Sequence, residues 1–139
     1  MKKKTFIIGI LFLLLIPACS KSEEKHKFDE EILIDLSLEL VAEANKTNSQ
    51  PIYDLVTESY RKTTTVEAVN EFIAFQLSKA TNYDSIIKTT FSQSLHPLDK
   101  YPIASVVVFA QFENGTMTYS FNYSELNEIL GFSMAFQRK

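Results

Sequence analysis

Val106-Val107-Val108-Phe109-Ala110-Gln111-Phe112-Glu113-Asn114-Gly115-Thr116-Met117-Thr118-Tyr119-Ser120-Phe121-Asn122-Tyr123 is the stretch that decides the fold. It holds two runs of β-branched and aromatic residues on either side of Asn114-Gly115. Such a pair at the centre of a tight turn predicts a type I′ hairpin, because that turn needs positive φ at both central residues. With Glu113 set opposite Thr116, one face pairs Phe112 with Met117, Ala110 with Tyr119, Val108 with Phe121 and Val106 with Tyr123. The other face pairs Gln111 with Thr118, Phe109 with Ser120 and Val107 with Asn122. One face is thus apolar and the other mixed, which is the pattern of a half-buried antiparallel sheet.

Downstream, Leu130, Phe132, Met134 and Phe136 alternate with Gly131, Ser133, Ala135 and Gln137, predicting a final strand with one apolar face. Upstream, Ser85 to Leu95 predicts a first strand of weaker alternation, broken by the loop His96-Pro97-Leu98-Asp99-Lys100. Before Asn82 the apolar period is helical. Ile32, Leu33, Leu36, Leu40 and Ala44 predict a helix within Phe28 to Lys46, and Ile52, Leu55, Val56 and Tyr60 a short one from Gln50 to Tyr60. Thr64-Thr65-Val66-Glu67 has capping-box spacing and opens a third, from Thr65 to Lys79. The expected class is therefore α+β, with three N-terminal helices packed on a four-stranded antiparallel curled sheet in residues 28 to 139.

Residues 1 to 27 have a different character. Lys2, Lys3 and Lys4 precede an apolar run from Phe6 to Ile16, too short for the roughly 20 residues that span a bilayer. Ile16-Pro17-Ala18-Cys19 follows, and it resembles the lipobox of bacterial lipoprotein precursors, with Pro17 and Ile16 as less usual occupants. The resemblance implies a signal peptide at residues 1 to 18, lipidation of Cys19, and a membrane as partner through that lipid. Cys19 is the sole cysteine, so disulfides within the chain and thiolate metal sites are excluded. Residues 20 to 27 form a polar tether. The lipobox resemblance implies a lipid-anchored place in the cell envelope, and Ser20 after the cysteine resembles the sorting pattern of the outer membrane, facing the periplasm, in a Gram-negative host. Loss of Lys2, Lys3 and Lys4 with the leader moves the formal charge from −3 to −6. An acidic domain argues against nucleic acid as a partner.

The order of elements, the segment Pro51-Ile52-Tyr53-Asp54-Leu55-Val56-Thr57-Glu58-Ser59-Tyr60-Arg61-Lys62 and the closing Gly131-Phe132-Ser133-Met134 are similar to the cystatin-like, nuclear-transport-factor-2-like α+β cone. That resemblance covers residues 28 to 139. It implies a curled sheet that can enclose a pocket, here with Tyr119 and Tyr123 on the sheet and Tyr53 and Tyr60 on the helices. Packing alone also accounts for buried aromatics whose hydroxyls reach the rim.

No catalytic constellation stands out. His96 has no nucleophile at a motif spacing, and the carboxylate pairs Asp54/Glu58 and Glu67/Glu71 have the spacing of solvated helix faces. No metal site and no cofactor is expected. The expected function is a non-catalytic binding or interaction module with an unidentified protein or small-molecule partner. Ile103, Val107 and Phe109 on the outer sheet face are its candidate interface, which could also join two copies in a homodimer. The alternatives are a small-molecule enzyme using the family's pocket, or an immunity or exclusion lipoprotein.

Overall fold

The computed structural model describes residues 28–139; the expected leader, lipobox and tether lie outside them. The described chain runs α1 (Glu30–Ala44), α2 (Gln50–Leu55), α3 (Glu58–Arg61), α4 (Val66–Leu77), β1 (Tyr83–Leu95), β2 (Pro102–Phe112), β3 (Gly115–Tyr123) and β4 (Ile129–Arg138). The strands form one antiparallel sheet in chain order, a meander, so the class is α+β.

The central hairpin forms with a register two residues from the expected one. Phe112 pairs with Gly115, Gln111 with Thr116, Ala110 with Met117, Val108 with Tyr119, Val106 with Phe121 and Ala104 with Tyr123. The turn is therefore centred on Glu113 and Asn114, and neither residue has positive φ, which excludes type I′. Contacts distant in sequence hold it. Asn114 Oδ1 accepts from the Thr81 amide at 2.9 Å and its hydroxyl at 3.1 Å, while Asn114 Nδ2 donates to Lys79 O at 3.0 Å. A slip of two leaves every side chain on its expected face. The observed register also sets small Ala104 and Ala110 across from large Tyr123 and Met117.

The inner faces of β2, β3 and β4 form the core with α1, α2 and α4. Leu33, Leu40, Ile52, Ile73, Val106, Val108, Phe121 and Ile129 are all buried. On β4 the inward row begins at Ile129, because a register shift near Tyr123 leaves Leu130 half-exposed, not on the apolar face. β1 begins two residues before the expected start and is the exposed edge strand. Register shifts fall between Tyr83 and Ser85 and between Ile86 and Lys88, and they hide its alternation. Bulges and a lysine are common protections of a free sheet edge.

The expected helix from Gln50 to Tyr60 is two helices. Val56 is extended, makes a parallel bridge to Ile129, and is followed by Thr57, whose amide donates to Ile129 O at 3.1 Å. Thr57 then caps α3 by accepting from the Tyr60 amide at 3.3 Å. At α4 the cap is Thr65 and not Thr64: its Oγ1 accepts from the Ala68 amide at 3.2 Å, so Glu67 lies one position short of a capping box. Replacing Thr65 by Ala leaves that amide without its partner and is expected to lower stability by about 1 kcal/mol in urea unfolding, with Thr64→Ala near neutral.

Candidate functional site

The tyrosines expected to face a pocket fall into two groups. Tyr119 and Tyr123, two turns of the pleat apart on β3, are fully buried beneath α1. The Tyr119 hydroxyl donates to Asn45 Oδ1. Tyr123 Oη and Ser37 Oγ lie 2.8 Å apart, and Ser37 Oγ is 2.7 Å from Leu33 O. A carbonyl can only accept, so Ser37 gives its single proton to Leu33 and Tyr123 donates to Ser37. Burial pushes the Tyr123 phenol up to about 12, with the Ser37 contact pulling the other way. Burial raises Tyr119 as well, with a smaller contribution from Tyr83. Both remain neutral phenols at ordinary pH, and among the described residues no buried side-chain nitrogen or oxygen lacks a partner.

Tyr53 and Tyr60 lie apart from these, beside α3. Tyr53 Oη donates to Thr64 O at 3.1 Å, and the Arg61 guanidinium stands 5.7 Å from its ring centre. Tyr60 is half-buried and lines two shallow clefts, one against Phe72 and Phe132, the other against Thr57 and Tyr101. Burial raises its phenol too.

An open groove of about 500 Å³ runs between α1 and β1. Leu38, Val41 and Ala42 form one wall, Tyr83 and Ile86 the other, and Asn45 and Lys46 the end. It was not legible in the sequence, because Tyr83 precedes the predicted strand and the bulges interrupt the period that would have marked Ile86 as inward. Its chemistry suits an apolar group with one amide contact. Lys46 is occupied by Glu43 at 2.7 Å, and together with Asn48 it holds the Glu43 carboxyl below its usual range.

On the outer sheet face, Ile103, Val107 and Phe109 form one half-buried row along β2. Their β1 neighbours are Ser94, Thr90 and Lys88; on β3, Val107 and Phe109 meet Ser120 and Thr118. The row is apolar with polar borders.

The carboxylate pairs are dispersed or solvated. Asp54 and Glu58 are parted by the break at Val56; Asp54 accepts from Gln50 at 2.7 Å and Glu58 meets Lys62 at 3.0 Å. Glu67 and Glu71 line an open groove of about 380 Å³ with Ser49 and Asn70. His96 stacks on Tyr101 at 4.6 Å and accepts from the Asp99 amide at 3.2 Å, a loop-closing role. Among the described residues there is no cluster of three metal-ligating side chains, and no helix is long and apolar enough to cross a membrane.

No protein-family model matches the chain, and no curated protein matches it. Among solved structures, the NMR structure of a protein from Ruminococcus gnavus ATCC 29149 superposes with a TM-score of 0.63 and 20% identity, over 78% of this chain and 92% of that one. At such identity the likeness shows a shared α+β fold alone.

Proposed function

We propose that this chain is a lipoprotein whose α+β domain is a small binding module held at the cell envelope. The observation that carries the reading is the ordered series of Lys2 to Lys4, the apolar run Phe6 to Ile16, and Ile16-Pro17-Ala18-Cys19 with the only cysteine of the chain. In this reading the Cys19 sulfur takes a diacylglyceryl group and cleavage after Ala18 frees its amine for a further chain. One acyl chain binds a membrane only marginally, whereas two or three hold it. The domain is read as a variant of the cystatin-like, nuclear-transport-factor-2-like cone, with α1 lying along the inner face of the sheet.

Binding is favoured over catalysis because the phenols best placed for chemistry, Tyr119 and Tyr123, are buried and committed to Asn45 and Ser37. The surfaces open to a partner are the groove between α1 and β1 and the row Ile103, Val107 and Phe109.

The test is fractionation of a bacterial host expressing the wild type and Cys19→Ser, with mass spectrometry of the N-terminal peptide. The wild type is expected in the membrane fraction with a lipidated Cys19 as its first residue. Cys19→Ser is expected to keep residues 1 to 18 and carry no lipid. A mature wild-type chain that begins elsewhere, or at an unmodified Cys19, overturns the reading.

A further inference from the structure

The two hydroxyl contacts to α1 fix how the domain is oriented relative to its tether. Ser37 meets Tyr123, and Asn45 meets Tyr119, so α1 runs antiparallel to β3. The spacing agrees: eight helical residues rise about 12 Å and four strand residues about 13 Å. Continued toward its N-terminus from Ser37, the helix reaches Glu30 about 10 Å farther on. That places Phe28 and the first turn of α1 at the same end of the sheet as the β3–β4 turn, residues 124–128. Ala104 pairs with Tyr123 and Pro102 with Leu95, so the β1–β2 loop, residues 96–101, is also there.

This end gathers apolar side chains that contribute little to the core. Of the nine exposed large hydrophobics among the described residues, Ile32, Leu95, Leu98, Tyr101 and Leu126 belong to it. Leu98 is 83% and Leu126 80% exposed, each near the tip of its loop. Both loops are closed structures. His96 N donates to Tyr101 O at 2.8 Å, Lys100 N to His96 O at 3.0 Å, and Ser124 N to Glu128 O at 2.9 Å. The Leu126 amide is held on Ser124 Oγ at 3.2 Å. The tips are presented to solvent by defined turns, where a leucine gains nothing from folding.

We propose that this end of the domain seats in the lipid–water interface of the bilayer that carries its anchor. The inference rests on the lipoprotein reading, since the polar segment Ser20 to Lys27 spans at most about 28 Å and enters the domain at this end. The leucines stand on separate loops, where Asp99, Glu125 and Glu128 outnumber the one lysine, Lys100. A fluid partner conforms to such scattered points. The net acidic balance works against attraction to anionic headgroups and limits insertion to the tips, so contact is apolar, shallow and little affected by salt. Leucine and tyrosine side chains suit that depth.

The test uses the full lipidated chain reconstituted in phosphatidylcholine vesicles. Cys19 being blocked by its lipid, Leu98→Cys, Leu126→Cys, Tyr101→Cys and, at the far end, Glu113→Cys each accept one fluorophore. A quencher attached to the lipid chains is expected to quench the label at 98 and 126 several-fold more than at 113. The same difference is expected at high salt. Adding Leu98→Asp with Leu126→Asp is expected to leave the protein on the vesicles while the label at 101 loses its quenching. Equal quenching at 98, 126 and 113 overturns the proposal. So does protection of 98 and 126 from aqueous iodide without lipid quenching, which would mark a second copy as the occupant. Failure of the lipoprotein reading looks different: no lipid on Cys19 by mass and no variant sedimenting with vesicles, in which case this proposal falls with it.

Discussion

Raising the pH from 9 to 12 is expected to destabilise the domain strongly, with Tyr123 and Tyr119 as the groups responsible. In the unfolded chain a tyrosine ionises near its ordinary value of 10; in the fold, burial pushes Tyr123 up to about 12 and raises Tyr119 as well. A raised value in the folded state means full stability below pH 10. Above that the unfolded state sheds protons first, and stability falls until the folded phenol titrates as well. For each tyrosine the slope is about 1.4 kcal/mol per pH unit, so Tyr123 alone removes roughly 2 to 3 kcal/mol across the window. Against a usual total of 5–15 kcal/mol that loss, added to the contribution of Tyr119, is large. Urea midpoints measured at pH 9, 10 and 11 should fall progressively, and tyrosinate absorbance from the buried pair should appear together with loss of the helical signal. Tyr123→Phe separates this cause from lysine titration. Ser37 keeps Leu33 O as its acceptor, so the variant should lose only about 1 kcal/mol at neutral pH, yet show a shallower alkaline slope. A slope unchanged in Tyr123→Phe would show that Tyr123 is not responsible.

Gly115→Ala is expected to be far more damaging than Gly131→Ala. A Cβ there would overlap the backbone oxygen of Gln137 and stand 2.6 Å from Phe136 Cζ and 3.0 Å from Arg138 Cα. The phenylalanine ring can turn aside; the carbonyl belongs to the β3–β4 ladder and cannot move without parting the strands. A cost of about 3 kcal/mol is expected, the upper end for overpacking. Amide exchange should accelerate along the last residues of β4 while α1 stays protected. Gly131→Ala is the control: its Cβ would meet only Asn122 Nδ2 at 3.5 Å, ordinary contact, and its cost should stay below about 1 kcal/mol. Similar losses in the two variants would refute the close-approach account.

Gly115 also marks the limit of what is legible in the sequence. Local signals placed the hairpin, sorted its faces and separated a helical half from a strand half, because binary periodicity survives a two-residue slip. Register did not follow from Asn114-Gly115, since the glycine serves the approach of β4 and the asparagine serves residues 79 to 81. Neither need is visible near the turn. The break at Val56 has the same origin: the segment has helical periodicity, but a bridge to Ile129, distant in the chain, outweighs it. Residue type alone marks four tyrosines. Their division into a buried pair and a pair beside α3 depended on Asn45 and Ser37, which lie 74 and 86 residues from their phenolic partners. The groove beside β1 was masked by bulges that erase the period of two.

The antiparallel seating of α1 on β3 also governs how the domain bears force. A partner drawing on the sheet while the chain before Phe28 is held would stretch the protein along the axis of α1. The helix and strand would then be loaded in shear, with the contacts at Tyr119 and Tyr123 strained together and not peeled apart in sequence.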